Sequence, residues 1–272
     1  MRIALLCLAA CNQTWGLDAT HLPQIECPAL GDELIVGTKL RQATTEFCTD
    51  YTTAVDTNLA VALCTKSEIS IGEIGGELTT VQFPPAPMVP SPARYGVRLS
   101  PEGDELWISQ RSATSSAATN SVYRRTAGVW TWQYDVPFIT SPEVVLSGPS
   151  RGPNRRMFVD DAANNAVLTE YVEQAPGQWM ERQRYSEASL GVLYYEHPSL
   201  SADGLRLLFY GDGDDNVSIG WFFTNRATID DVFPRARFVR QVPAVPYYVH
   251  LSEDCSRVYF PALDSVFYLT LD

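Results

Sequence analysis

One theme recurs about every 51 residues along this chain, and its even spacing restricts the fold more than any other feature. Each copy has a short β-rich run, a turn that begins with serine, and then a bulky apolar run. The apolar runs begin at Leu106, Met157, Leu207 and Val258. A period of this length is typical of stacked supersecondary units, each of which buries its apolar faces against its neighbours. The sequence therefore predicts a repeat architecture with no single mixed core.

The runs inside each repeat have the character of β-strands. They are too short for helices and are rich in β-branched and aromatic residues. A third run follows the apolar one, and in two repeats a glycine turn at Gly128 or Gly177 opens a fourth. Four strands in about 50 residues, repeated, is the pattern of a propeller blade. The predicted fold class is an all-β β-propeller, with an irregular β-sandwich as the alternative.

The length of the chain predicts five four-stranded blades, with six as the alternative, since the 254 residues after the first 18 amount to about five periods. The fifth unit is expected near residues 53–64, with residues 59–63 as its second strand. In the copy whose apolar run begins at Met157, the turn is assigned to Ser147, and the apolar run then begins about four residues later than in the other copies. The last repeat ends after its third strand. Closure of the ring by an N-terminal strand is therefore expected, with residues 33–37 as the candidate.

The turns themselves resemble those of a known family. Ser100-Pro101-Glu102-Gly103 and Ser201-Ala202-Asp203-Gly204 are similar to the S-P-D-G turn of WD40-like PD40 repeats, which occur in TolB-type bacterial propellers. The resemblance covers roughly residues 50–272, and Ser252-Glu253-Asp254-Cys255 departs from it by replacing the glycine. It implies a PD40/TolB-like propeller over residues 27–272 that acts as a rigid binding module.

The N-terminus has the pattern of an export signal. Met1-Arg2 precedes a short apolar run, and Leu8-Ala9-Ala10-Cys11 resembles the bacterial lipobox, whose cysteine is lipidated. Residues 1–10 are then a lipoprotein-type signal peptide, and residues 11–26 a tether with Cys11 as the lipidation site. The alternative is an ordinary buried first strand. The export reading predicts a membrane-anchored lipoprotein that faces the periplasm or the cell surface.

The cysteines agree with export to an oxidising compartment. Without Cys7 and Cys11, four remain, and four cysteines permit two disulfides in three connectivities. One hypothesis pairs Cys48 with Cys64 and joins Cys27 to Cys255 across the ring closure. No C-x-x-C spacing or nearby histidine cluster occurs, so neither a metal site nor a cofactor is predicted.

The net charge of −12 argues against nucleic acid as a partner, because nucleic-acid binding needs clustered Lys and Arg. The predicted partner is another envelope protein or a small polar or peptide ligand, and the protein is expected to be a monomer.

Two local motifs are read as structural. Gly148-Pro149-Ser150-Arg151-Gly152 matches the nucleophile elbow of hydrolases but lacks a following helix, and the acidic run 211–216 lacks the glycine and acid of a calcium loop.

The residues with functional potential emerge when the repeats are aligned on their turn serines. In PD40 propellers the strand before this turn lines the central channel. The inward positions two, four and five residues before the serine carry polar and aromatic side chains, which make the predicted binding set: Tyr95, Arg98, Glu143, Glu196, His197, Tyr247 and His250. Tyr248 occupies one of these positions as well.

These side chains suggest a funnel that captures a polar ligand or a peptide end. Equally, they could satisfy one another and buried water. The predicted function is a non-catalytic protein- or ligand-binding module with no catalytic residues. The alternatives are an envelope hydrolase or lyase with its site at the channel mouth around Glu196, His197 and His250, and a purely structural component.

Overall fold

The protein forms a five-bladed β-propeller. The computed structural model describes residues 27–31, 41–42, 48–64, 68–84, 86–87, 92–112, 118–136, 145–152, 154–161, 167–215, 217–239, 248–262 and 265–270. Within these ranges the chain forms five four-stranded antiparallel sheets. The predicted all-β fold and the prediction of five blades are therefore confirmed.

The strands follow the chain from blade to blade, and each blade begins at the channel. Blade one contains β2 (Cys48–Ala54), β3 (Leu59–Cys64), β4 (Glu68–Glu73) and β5 (Leu78–Val81). Blade two contains β6 (Pro92–Leu99), β7 (Glu105–Ser112), β8 (Ala118–Thr126) and β9 (Val129–Asp135). Blade three contains β10 (Val145–Leu146), β11 (Arg156–Asp161), β12 (Val167–Ala175) and β13 (Gln178–Tyr185). Blade four contains β14 (Val192–Leu200), β15 (Arg206–Gly213), β16 (Ile219–Asn225) and β17 (Arg237–Phe238).

Blade five joins the two ends of the chain. It contains β18 (His250–Leu251), β19 (Arg257–Ala262), β20 (Ser265–Thr270) and the N-terminal β1 (Arg41–Gln42). Arg41 pairs with Tyr268 in antiparallel register. The predicted closure by an N-terminal strand is confirmed, but the closing strand that is seen is β1. The candidate at residues 33–37 lies outside the described residues.

The recurrent serine closes the turn between the first two strands of a blade. The backbone N–H of Ser100 donates to the carbonyl of Glu105 at 2.8 Å, and the backbone N–H of Glu105 donates to Ser100 Oγ at 3.1 Å. Ser201 and Ser252 make the same pair of bonds with Arg206 and Arg257. A serine at this position therefore satisfies two backbone groups, which explains its recurrence.

In blade three the turn is closed by Ser150. The backbone N–H of Ser150 donates to the Arg156 carbonyl at 2.8 Å, and the Arg156 N–H donates to Ser150 Oγ at 2.8 Å. The assignment of this turn to Ser147 is therefore wrong. Ser147 makes a similar pair of bonds, through its backbone N–H and its Oγ, with the backbone of Phe158 in the next strand. Ser150 is buried, so the structure supports the reading of the G-x-S-x-G match as a turn.

The hydrophobic core is divided into five parts, one between each pair of adjacent blades. Between blades three and four, for example, Phe158 and Tyr185 pack against Leu207 and Phe209. Each part is a face-to-face contact of two sheets, so the alternating apolar residues of every strand have a neighbour to contact. This arrangement leaves the inner edges of the blades free to line a central channel with polar groups.

Two disulfides fix the ring. Cys48 pairs with Cys64 within blade one, and Cys27 pairs with Cys255 at the turn of blade five. Both pairings match the hypothesis made from the sequence. Cys255 occupies the glycine position of the turn and keeps a positive φ of 54°. Among the described residues no helix is long and apolar enough to span a membrane.

Candidate functional site at the central channel

Irregular pairing in the innermost strands shapes the channel wall. Between the first and second strands, blades one, two and four each show a register shift, at Cys48/Asp50, Arg94/Gly96 and Glu196/Ser199. Such bulges bend the strand and redirect a side chain. At the shift in blade four His197 adopts a left-handed φ of 52°, which is uncommon for a residue other than glycine.

A buried ion pair between blades one and two lies at the centre of the site. Arg98 Nη1 donates to Asp50 Oδ1 at 2.5 Å and to Oδ2 at 2.6 Å, and both side chains are only 2% exposed. Asp50 also accepts the backbone N–H groups of Val97 and Tyr51, each at 2.9 Å, so the carboxylate is held by three donors. Arg98 Nε and Nη2 are buried and have no hydrogen-bond partner among the described residues. Two charge-bearing donors are therefore in place beside the channel for an oxygen atom of a ligand.

The His250 ring of blade five is held by a contact with blade one. The backbone N–H of Thr53 donates to His250 Nε2 at 3.2 Å, and Glu253 Oε1 lies 3.6 Å from the same nitrogen. Thr53 Oγ1 in turn donates to Glu253 Oε2 at 3.2 Å. His250 Nδ1 is buried without a partner among the described residues. The contacts at Nε2 thus orient the His250 ring, and Nδ1 is available to a ligand.

His197, Tyr248 and Glu196 form a third group, on blades four and five. The rings of His197 and Tyr248 lie 3.9 Å apart between centroids, and His197 Nε2 is 3.8 Å from Glu196 Oε2. Tyr194 donates its hydroxyl proton to Glu196. The Glu196 side chain is 25% exposed, more than the carboxylates of Asp50 and Glu253. The group supplies a solvent-accessible carboxylate next to a buried imidazole.

Burial controls the protonation of these groups. Desolvation, with the nearby positive charge of Arg98, lowers the pKa of His197 to about 3 and that of His250 to about 3. Burial raises the pKa of Glu253 to about 8. Tyr248 has its pKa raised to about 12, first by burial and then by the carboxylates of Asp50 and Glu196. At neutral pH both imidazoles are therefore neutral and Glu253 keeps its proton.

These shifts predict how stability depends on pH. Folded Glu253 holds a proton that the unfolded chain releases above pH 4.5, so the free energy of unfolding should fall as pH rises from 4.5 through 8. The two histidines act in the opposite direction: their stabilisation is complete above pH 6.5 and is lost as pH falls towards 3. Denaturant unfolding from pH 5 to 9 should show the Glu253→Gln variant losing the decline on the alkaline side. Glu181→Gln, at an exposed carboxylate, is the control that should keep it.

Arg151 joins the turns of several blades. Its guanidinium pairs with Asp56 of blade one and donates to the carbonyl of Pro101 in blade two at 3.1 Å. Its backbone N–H donates to the carbonyl of Ala202 in blade four at 2.7 Å. Arg151 of blade three is therefore linked to blades one, two and four at their turns.

The structure brings together most of the residues predicted from the sequence. Arg98, His250, His197 and Glu196 surround the site described above. Tyr95 lies in the innermost strand of blade two, where its ring contacts the Arg111 guanidinium, 5.2 Å from the centroid. Two predicted residues, Glu143 and Tyr247, lie outside the described residues.

Sequence reasoning missed three members of the site: Asp50, Thr53 and Glu253. Blade one has no turn serine, so the alignment gave no anchor for its inward positions. The available signal was Asp50, an acidic residue within a run of β-forming residues. Glu253 was counted only as a turn residue, although it occupies the position of Pro101 and Ala202, which are apolar. A carboxyl group where the turns of blades two and four have an apolar residue was the signal there.

The acidic run 211–216 is explained by local structure. Asp215 accepts the backbone N–H groups of Val217 and Ser218 at 3.0 and 2.9 Å. Asp214 pairs with Arg235 at 2.6 Å on the surface. Within the described parts of the chain no group of three or more His, Cys, Asp or Glu side chains is arranged to hold a metal ion.

Solved structures that are similar to this chain include the following three. A gluconolactonase from Xanthomonas campestris matches with a TM-score of 0.49 and 10% identity, over 88% of this chain and 91% of that chain. The periplasmic gluconolactonase of Pseudomonas aeruginosa matches with a TM-score of 0.43 and 19% identity, over 83% of this chain and 66% of that chain. A chain of the mitotic checkpoint complex matches with a TM-score of 0.46 and 8% identity, over 92% of this chain and 97% of that one. No family model and no curated protein matches the chain.

These comparisons correct the predicted function. Two of the three similar structures are gluconolactonases, which are hydrolytic enzymes, so the expectation of a non-catalytic binding module is contradicted. The alternative of a hydrolase at the channel mouth agrees better with them. Because the identities are only 8–19% and the TM-scores are below 0.5, the activity of these proteins is not carried over to this chain, and its chemistry has to be argued from the channel residues.

Proposed function

We propose that this protein is a hydrolase that opens a small polar ester or lactone in its central channel. The observation that carries the proposal is the Arg98 guanidinium, which Asp50 fixes through Nη1 while Nε and Nη2 keep unpartnered protons. Donors fixed before the reaction stabilise the negative charge that develops on a carbonyl oxygen. This arrangement supports acyl chemistry at the channel.

The proposed reaction uses Glu196 as the general base. Its carboxylate takes a proton from a water molecule, and the oxygen of that water bonds to the carbonyl carbon. The carbonyl oxygen becomes an oxyanion and accepts hydrogen bonds from Arg98 Nε and Nη2. When the intermediate collapses, the bond from carbon to the leaving oxygen breaks, and that oxygen takes the proton from Glu196. His197 lies 3.8 Å from Glu196 and is neutral, so it positions the carboxylate without neutralising its charge.

We further propose that the protein is a PD40-type propeller exported as a lipoprotein anchored through Cys11. The two disulfides support this location, because disulfides persist in oxidising compartments. The turn pattern of Ser100 and Ser201 supports the PD40 assignment.

Hydrolysis of a panel of small lactones and esters, followed by proton release in a weakly buffered solution, tests the proposal. The wild-type protein should turn over at least one member of the panel. Glu196→Gln should lower kcat by about 10²-fold, which is the smaller end of the range for loss of a general base. The matched control is Glu187→Gln, at an exposed carboxylate on the surface.

Two results would count against a hydrolase at this site. The first is no turnover across the panel by folded wild-type protein. The second is turnover that Glu196→Gln and Glu187→Gln leave equally intact, which would move the reaction away from the channel.

A further inference from the structure

We propose that the channel site accepts its substrate as an uncharged carbonyl compound and excludes carboxylates. This inference rests on the proposed function, since it specifies the substrate class of the same site. It also favours product release, because hydrolysis of a neutral lactone or ester yields a carboxylate that the site binds weakly.

The deep part of the site carries no net charge. The positive charge of Arg98 is matched by that of Asp50 at 2.5 Å, and both groups are almost completely buried. His197 and His250 are neutral at pH 7, and Glu253 keeps its proton. The other charged groups named above are the Glu196 carboxylate, which is 25% exposed, and the Arg111 guanidinium, which lies over the Tyr95 ring. A carboxylate that entered would therefore find no uncompensated positive charge at depth.

The unpartnered groups at depth are nevertheless mainly donors. The backbone N–H of Thr53 can only donate, so His250 Nε2 accepts its hydrogen bond. In a neutral imidazole the proton then lies on Nδ1, which has no partner among the described residues. With Nε and Nη2 of Arg98, the site offers three buried N–H donors. A carbonyl oxygen accepts two hydrogen bonds and brings no charge, so it matches this set.

The expected difference in binding free energy between a carboxylate and a neutral carbonyl compound is large. A carboxylate that is buried without a compensating charge loses its hydration. The Arg98–Asp50 pair offsets little of this cost, because Asp50 repels the carboxylate that Arg98 attracts. A carbonyl oxygen loses far less hydration on entry. Negative charge then develops on it only in the transition state, where the donors act most strongly. The Arg98–Asp50 pair thus favours the transition state over a charged ground state.

Asp50 is the residue that sets this preference, so Asp50→Asn is the informative variant. Asparagine keeps an oxygen for one of the two backbone N–H groups, that of Val97, and leaves the charge of Arg98 uncompensated. Two probes of equal carbon number compare the ligand classes: δ-valerolactam, a neutral ring carbonyl that resists hydrolysis, and pentanoate. Binding is followed by the ¹⁵N chemical shift of Arg98 Nε in NMR titrations of the intact, oxidised protein.

The wild-type protein should bind δ-valerolactam at least about tenfold more tightly than pentanoate, and Asp50→Asn should reverse the order. Equal or tighter binding of pentanoate by the wild type overturns the proposal. So does a titration in which neither probe moves the Arg98 resonance. If Asp50→Asn does not fold, the wild-type comparison alone still decides. The expected selectivity without any lactone or ester turnover would leave the inference standing and refute the hydrolase.

Discussion

Replacing Arg98 with glutamine is expected to lower kcat/KM for lactone or ester hydrolysis by about 10³-fold, the upper end of the loss seen when an oxyanion donor is removed. The upper end applies because the guanidinium is only 2% exposed, and water cannot substitute for its N–H groups. The measurement is the hydrolysis assay described above, at substrate concentrations well below KM.

The variant needs a control for folding, because Arg98→Gln leaves the Asp50 carboxylate buried without a counter-charge. The double variant Arg98→Gln/Asp50→Asn removes both charges. It should recover stability relative to the single variant but remain inactive. Arg184→Gln, in an exposed pair with Glu181, should retain full activity. Activity that returned with stability in the double variant would show that Arg98 is structural only.

The second large effect concerns stability, at the interface of blades three and four. Glu170 is fully buried and accepts hydrogen bonds from Arg226 Nη1 at 2.8 Å, Arg182 Nη1 at 2.9 Å and the Tyr185 hydroxyl at 3.2 Å. Glu170→Gln leaves the fully buried Arg226 side chain without its counter-charge. The free energy of unfolding should fall by about 3–5 kcal/mol, the range for breaking a buried ion pair by removing one partner. Denaturant unfolding at pH 7 with the disulfides intact measures the change.

Two further variants show whether the charge is responsible. Glu181→Gln removes an exposed carboxylate from the same blade and should change stability by less than about 0.5 kcal/mol. Glu170→Gln/Arg226→Gln removes both buried charges, and its loss should be smaller than the sum of the two single losses. A loss below about 1 kcal/mol for Glu170→Gln would mean that Arg226 is held by its other contacts, the carbonyl of Gly204 and the Phe233 ring.

The fold was predictable because its repeating element is local. A turn serine bonds to a residue five positions later, so the pattern survives in sequence wherever the turn has its usual length. In blade three Ser150 bonds to a residue six positions later, and the longer turn displaced the assignment to Ser147. Residues 41–42 were not identified as part of the closing strand, because pairing of Arg41 with Tyr268 leaves no local signature.

The site was less accessible to sequence reasoning than the fold. Arg98 and His250 occupy the same position relative to their turn serines, so the alignment identified them. Their partners Asp50 and Thr53 belong to a blade without that serine, and the contacts span 48 and 197 residues. The protonation of these groups depends on burial by all the neighbouring blades, which no single segment encodes.

The shared construction of blade five has a consequence for synthesis of the protein. Strand β1 is made early, but its partner β20 appears after all the other strands. During translation, blades one to four are able to pack while both ends of the growing arc still expose unpaired strand edges. A premature stop before residue 265 would make that exposure permanent. Nascent and truncated chains of this protein are therefore expected to depend on chaperones far more than the closed ring does.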